Sequence, residues 1–276
     1  MNQLEKIDFN PTFLAFMDVL GFKNLAKKNE HAILVRIYQN LLETLLSYST
    51  IIFPKKSEMK KIDNDKGRIT LKIDQSLPKF NSMIISDSII IWTNDANIAQ
   101  LQRLIFTIKN LLNLGIEMGM PLRGAITKGS LTYLKLKDEI LSYNSVHSII
   151  GHCIIKAFEE EENQNWVGCI LNEEVISSIP PEYIKVLENH NLITRYRIPF
   201  KKEPIKDNYA IIWGDEIIKN DVERVIRNAF SAHKKCIDNG DEIKIKNTIS
   251  FLEYINALKI SKNSPLENNN CQKTLF

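Results

Sequence analysis

The first strongly apolar stretch, Thr12 to Val19 (TFLAFMDV), holds one acid near its end and runs into Leu20-Gly21-Phe22. A short apolar run closed by glycine predicts a buried strand with a tight turn after it. Ala32 to Ser47 carries Ile33, Ile37, Leu41, Leu42 and Leu45 at helical spacing, which predicts an amphipathic helix. Residues 54–80 are polar and Lys-rich, with Asp65-Lys66-Gly67 as the turn of a hairpin, and read as a surface insertion. In Ser82 to Thr93 (SMIISDSIIIWT) the apolar run breaks only at Ser86-Asp87-Ser88, the pattern of two antiparallel strands around a tight polar turn. Leu101, Leu104, Ile105, Ile108, Leu111 and Leu112 predict a helix over Ala96 to Met118.

Leu122 to Leu134 reads as a strand bent at Gly129, Val146 to Glu162 as a helix and Trp166 to Leu171 as a strand. Short helices are expected within 173–191, after Pro180-Pro181. Leu192–Pro199 and Tyr209–Trp213 read as a further strand pair, and 221–237 and 241–260 as amphipathic helices, the last with Asp241 as its N-cap. The polar stretch after Ser264 predicts a disordered tail, and no internal repeat is visible. The order β-α-(insertion)-β-β-α-β-α-β predicts an α+β fold: a ferredoxin-like core, with a mixed or antiparallel sheet and helices on one face, plus a C-terminal helical extension. The expected divisions are a catalytic domain over 10–215, the helical extension over 216–262 and the tail over 263–276.

Composition narrows the function classes. With 276 residues, 44% of them hydrophobic, the chain can bury a large core without staples. A net charge of +3 says little about partners. Lys55, Lys56, Lys60 and Lys61 form a basic patch without interleaved aromatics, which argues against a nucleic-acid role. No apolar run reaches the roughly 18 residues of a membrane span, and Met1 to Asn10 lacks a signal pattern, so a cytoplasmic protein is expected. Cys153, Cys169, Cys236 and Cys271 are scattered and read as reduced structural thiols. The histidines show no metal-ligand spacing.

Two acids carry the candidate chemistry. Asp18 ends a buried strand and Asp87 sits in the turn of a hairpin, so adjacent strands would bring both to one edge of a sheet. Paired carboxylates completed by substrate phosphates are a usual arrangement for Mg²⁺. Asp87 alone reads equally as a turn-forming residue. Asp18, inside an apolar run, is harder to explain without a partner, because an unpaired buried carboxylate is costly.

Four segments taken in order resemble class III nucleotidyl cyclases. AFMDVLGF resembles their first metal motif, IISDSIIIW their second metal hairpin, and PLRGAITKGSL the strand that follows. GHCIIKAFEEEE followed by WVGCIL resembles a later helix and strand. The likeness is nearest to bacterial cyclase-like proteins with a DxLGF motif, among them the pyrimidine cyclases of anti-phage defence. It implies that Asp18, Asp87 and the Val19 carbonyl hold two Mg²⁺ or Mn²⁺ ions. It further implies that the Leu20, Gly21 and Phe22 backbone N–H groups cradle phosphate and that Arg123 contacts the triphosphate. A homodimer with active sites at its interface is the implied assembly, and a nucleoside triphosphate the substrate.

The chain departs from that pattern in three places. The family's late-helix Asn and Arg fall, counted from Gly151, on Ile155 and Glu159, and its adenine-reading Lys falls on Met83. The departures leave open a cyclase with another base preference, CTP or UTP foremost, or a regulatory relative that has lost turnover. A third option is a different two-metal phosphoryl transfer. Lys156 and Glu159–Glu162 read as solvated helix residues, His152 as structural, and Trp92, Trp166 and Trp213 as core.

Overall fold

A computed structural model describes residues 11–48, 51–52, 72–73, 80–137, 145–202 and 206–263. The Asp65–Gly67 hairpin, the lysines from 55 to 61, Cys271 and the expected tail lie outside the described residues, as does all of the 54–80 insertion except Lys72, Ile73 and Phe80.

In chain order, β1 (Pro11–Val19) is followed by α1 (Phe22–Lys28) and α2 (His31–Tyr48). Two short strands, β2 (Ile51–Ile52) and β3 (Lys72–Ile73), pair antiparallel with each other. Next come β4 (Asn81–Ile85), β5 (Ser88–Trp92), α3 (Ile98–Glu117) and β6 (Leu122–Ser130). A second ribbon, β7 (Thr132–Lys137) and β8 (Ser145–Ile150), precedes α4 (His152–Asn163). The chain continues through β9 (Gly168–Leu171), α5 (Glu173–Ser177), α6 (Pro181–Asn189), β10 (Ile193–Ile198) and β11 (Lys206–Ile211). It then forms α7 (Val222–Ser231) and α8 (Asn239–Asn263).

The main sheet has seven strands in the order β10-β11-β9-β6-β1-β5-β4. Its β6-β1-β5-β4 half is antiparallel throughout and is the expected ferredoxin-like core. β9 adds to it in parallel with β6, and β11 and β10 complete the sheet in antiparallel fashion. The fold is therefore α+β with a mixed, mostly antiparallel sheet.

β1 is buried on both faces, which is why its sequence is apolar without alternation. Phe13, Ala15, Met17 and Val19 enter the main core with α3, while Leu14 and Phe16 join Ile90, Trp92, Cys153 and Ala157 on the opposite face. α4 covers that second face, so helices occupy both faces where one was expected. The helices after residue 216 belong to the main core, to which they contribute Ile226, Phe230, Phe251, Leu252 and Ile255.

Local departures from the predicted elements have identifiable causes. The helix expected over Val146–Glu162 begins only at His152, because 145–150 pairs with β7. Gly151 between them comes so close to β6 that a Cβ there would lie 2.4 Å from the Ser130 carbonyl oxygen. α7 stops at Ser231, where His233 and Lys234 adopt positive φ. That turn brings the Lys235 ammonium onto the Gly119 (2.7 Å) and Ala229 (3.1 Å) carbonyls, and burial lowers its pKa to about 8. α8 is capped by Asp238, which accepts from the Asp241 N–H (2.8 Å), so the expected cap Asp241 lies inside the first turn. α1, seven residues long, is too short to show a period and was not predicted.

Candidate active site

Strand pairing sets where the acids stand. Asp18 lies opposite Ser88 of β5 on one side and opposite Arg123 of β6 on the other. It follows Leu14 and Phe16 on the α4 face, where the hydrophobic cover runs out. The β4–β5 turn is tied to the same end of β1, for the Val19 N–H donates to the Asp87 carbonyl (3.0 Å). Ser86 takes φ 57 to make this turn. The tie fixes Asp87 beside Asp18, as adjacency of the strands predicts.

The two carboxylates feel each other. Burial pushes the Asp18 pKa up, the Arg123 guanidinium pulls it down, and the Asp87 charge pushes it up again. Such a pair favours a hard cation. No cluster of three or more His, Cys, Asp or Glu side chains that could hold a metal occurs among the described residues. Two carboxylates would thus need carbonyl, water or phosphate oxygens to complete a coordination shell, and Mg²⁺ is commonly held in that way. The donor set fits Mg²⁺ or Mn²⁺.

The turn after Asp18 is closed by Gly21 in the left-handed region (φ 75), a conformation glycine adopts without Cβ strain. The Leu20 N–H donates to the Pro121 carbonyl (2.8 Å). Of the three backbone donors expected to cradle phosphate, those of Gly21 and Phe22 therefore remain, at the start of α1.

Arg123 is 5% exposed and firmly held. Its Nε donates to Glu161 Oε1 and its Nη1 to the Gln164 carbonyl (2.7 Å). Its Nη2 lies 3.9 Å from Asp18 Oδ2, inside ion-pair range but beyond a hydrogen bond. Its nearest partners are thus protein groups.

Several residues near the acids are absent from the expected site. Glu161 was read as part of a solvated helix end, yet it is 2% exposed, and burial raises its pKa to about 7 against the opposing pull of Arg123. Its neighbours Glu159 and Glu162 are exposed as expected, while Glu160 accepts from Asn172 Nδ2 (2.7 Å). A helical phase count from the apolar Cys153 and Ala157 puts 161 on the same face and could have singled it out. Tyr38 of α2 donates from its hydroxyl to the Ser86 carbonyl (2.7 Å), and burial, Asp87 and Asp18 all hold its proton on. Lys201 and Lys244 both lower the Asp18 pKa by their charge; Lys201 donates to the Glu162 carbonyl (2.6 Å) and Lys244 to Asp241 (2.8 Å).

The other singled-out residues sit apart from the acids. Trp92, Trp166 and Trp213 are core, as expected. Lys156 pairs with Glu174 on the surface, and His152 is exposed at the start of α4. Ile155 and Glu159 are exposed on the outer side of α4. Met83 is half-buried and packs on the α4-side core.

No protein-family model and no curated protein matches the chain. Solved structures do. The guanylate cyclase domain of RhGC from Catenaria anguillulae, in complex with GTP, matches at 11% identity and TM-score 0.46, over 76% of this chain and 99% of that one. The adenylyl cyclase CyaB from P. aeruginosa matches at 16% identity and TM-score 0.43, over 75% and 96%. The guanylyl cyclase domain of the RhoGC fusion protein from the aquatic fungus Blastocladiella emersonii matches at 10% identity and TM-score 0.44, over 75% and 98%. Similarity at this level assigns no activity.

Proposed function

We propose that the chain is a metal-dependent nucleotidyl cyclase, converting a nucleoside triphosphate to a 3′,5′-cyclic nucleotide and pyrophosphate. The observation that carries this reading is the placing of Asp18 and Asp87 side by side, through the β1–β5 pairing and the Val19 N–H to Asp87 carbonyl bond. Asp18, Asp87 and the Val19 carbonyl would hold two Mg²⁺ or Mn²⁺ ions, which would acidify the ribose 3′-hydroxyl and neutralise the triphosphate. The backbone N–H groups of Gly21 and Phe22 suit a phosphate at the start of α1. Lys201 and Lys244 add positive charge on the side of Asp18 towards α4 and α8. Arg123 is engaged by Glu161 through Nε and by Gln164 through Nη1, and in this reading its Nη2 is turned to a phosphate oxygen.

The substrate is assigned to the pyrimidines, CTP or UTP, on the strength of Met83 where the resembled family places an adenine-reading Lys. A role in anti-phage signalling rests on the same resemblance. The working form is assigned as a homodimer, because the acids supply metals and phosphates but no wall for the base. Ile150, Ile155 and Phe158 on the α4 side are 46–56% exposed and suit a partner surface.

One observation favours a second reading, a cyclase fold that binds nucleotide without turnover: the outer side of α4 shows Ile155 and Glu159 in place of an amide and a guanidinium. Incubation with each of four nucleoside triphosphates and Mn²⁺, followed by mass spectrometry, separates the two. A cyclic monophosphate supports the first reading. Tight binding with unchanged nucleotide supports the second.

A further inference from the structure

The Asp18 site has a second layer that the cyclase reading leaves without a task. Glu161 and Gln164 stand at the C-terminal end of α4 and grip Arg123 from the side away from Asp18. Gln164 is itself immobilised: its Nε2 donates to the Gly124 and Glu160 carbonyls (both 2.9 Å), and its Oε1 accepts from Trp166 Nε1–H (2.8 Å). Gln164 and Trp166 are fully buried and Glu161 2% exposed, so the grip is built into the core. The outcome is a guanidinium stopped at 3.9 Å from Asp18. Left free, a buried Arg beside a carboxylate would close to a bidentate pair and occupy both carboxylate oxygens. Its charge would also offset that of Asp18 and repel a cation.

We propose that Glu161 is a positioning residue that neutralises Arg123 and holds it out of hydrogen-bond contact with Asp18, which keeps the Asp18 carboxylate open to a divalent cation. The inference rests on the reading of Asp18 as a metal carboxylate. It goes beyond that reading by assigning the α4 terminus the task of setting the charge of the site. Glu161 restores the negative charge that Arg123 removes, and Lys201 and Lys244, which also face Asp18, make that restoration necessary.

The test is Mn²⁺ binding to the nucleotide-free full chain, read by electron paramagnetic resonance at about pH 8, where Glu161 is ionised. Glu161→Gln keeps the shape and an acceptor for Arg123 but loses the charge. It is expected to weaken Mn²⁺ binding about tenfold. The double variant E161Q/R123Q removes both charges and is expected to recover to within about twofold of the wild type, the signature of charge compensation. Wild-type affinity in E161Q overturns the proposal, as does a double variant no tighter than E161Q. If E161Q alone does not fold, a folded double variant with wild-type affinity supports the proposal, and failure of both to fold overturns it in favour of a structural ion pair. Asp18→Asn separates the two levels of the argument: if the wild type binds no Mn²⁺, or D18N binds it equally well, the metal site itself is lost and the role of Glu161 with it.

Discussion

Asp18 is an acid that the fold holds at a cost. It is half-buried, next to a second carboxylate, with its one nearby guanidinium out of hydrogen-bond reach. A neutral isostere should relieve that cost. Asp18→Asn and Asp87→Asn are each expected to reduce turnover at least about 100-fold. The metal-free variants are expected to melt no lower than the wild type in calorimetry. A drop in melting temperature with activity retained would make these acids structural. Glu161 adds a pH signature. Its folded pKa, about 7, lies above the value of 4.5 expected for the unfolded chain, so the folded state binds its proton more tightly. Its contribution to stability is full below that unfolded value and is lost as pH rises through about 7. The metal-free wild type should therefore lose stability over that window, and E161Q should show a flatter profile. Equal slopes in the two would remove Glu161 as the titrating group.

The elements that place the acids were the most legible part of the chain. TFLAFMDV and SMIISDSIIIWT announce strands by β-branched and aromatic runs, and both formed with the turn at Asp87 where the sequence puts it. The helix over 98–117 follows from its leucine and isoleucine spacing. What escaped the sequence is what depends on long-range contact. The 145–150 segment became a strand because β7 was there to pair with it, and local composition does not report that. Glu161 lies in a run of four acids that looks solvated, and only its approach to Arg123, 38 positions earlier, buries it. Tyr38 belongs to the same class: nothing in its helix shows that its hydroxyl meets the turn beside Asp87. That bond joins α2 to the hairpin, and Tyr38→Phe removes it with little loss of packing. The expected cost is about 1 kcal/mol, or about 2–4 °C in melting temperature, with weaker Mn²⁺ binding because the Asp87 turn is less constrained. Unchanged stability and unchanged metal affinity would remove Tyr38 from the support of the site.

At the scale of the whole molecule, one end of the neighbouring strands β1 and β5 collects the acids, while the outer side of α4 presents apolar residues to solvent. In the proposed homodimer, that patch meets a second copy of the chain. Ile155→Glu is expected to shift sedimentation from dimer to monomer and to reduce turnover without unfolding the chain, because the side chain is exposed; Phe158, whose ring packs edge-to-face on Phe16, is the less clean probe. A wild-type monomer with full activity at nanomolar concentration would contradict the shared-site arrangement. The central claim, that Asp18 and Asp87 support cyclisation, is tested most directly by phosphorus NMR of a nucleoside triphosphate and Mg²⁺ incubated with wild type, D18N and D87N. The account predicts a cyclic diester and pyrophosphate in equal amounts with the wild type and neither with the variants. Release of orthophosphate and a nucleoside diphosphate, or cyclic product undiminished in both variants, would contradict it.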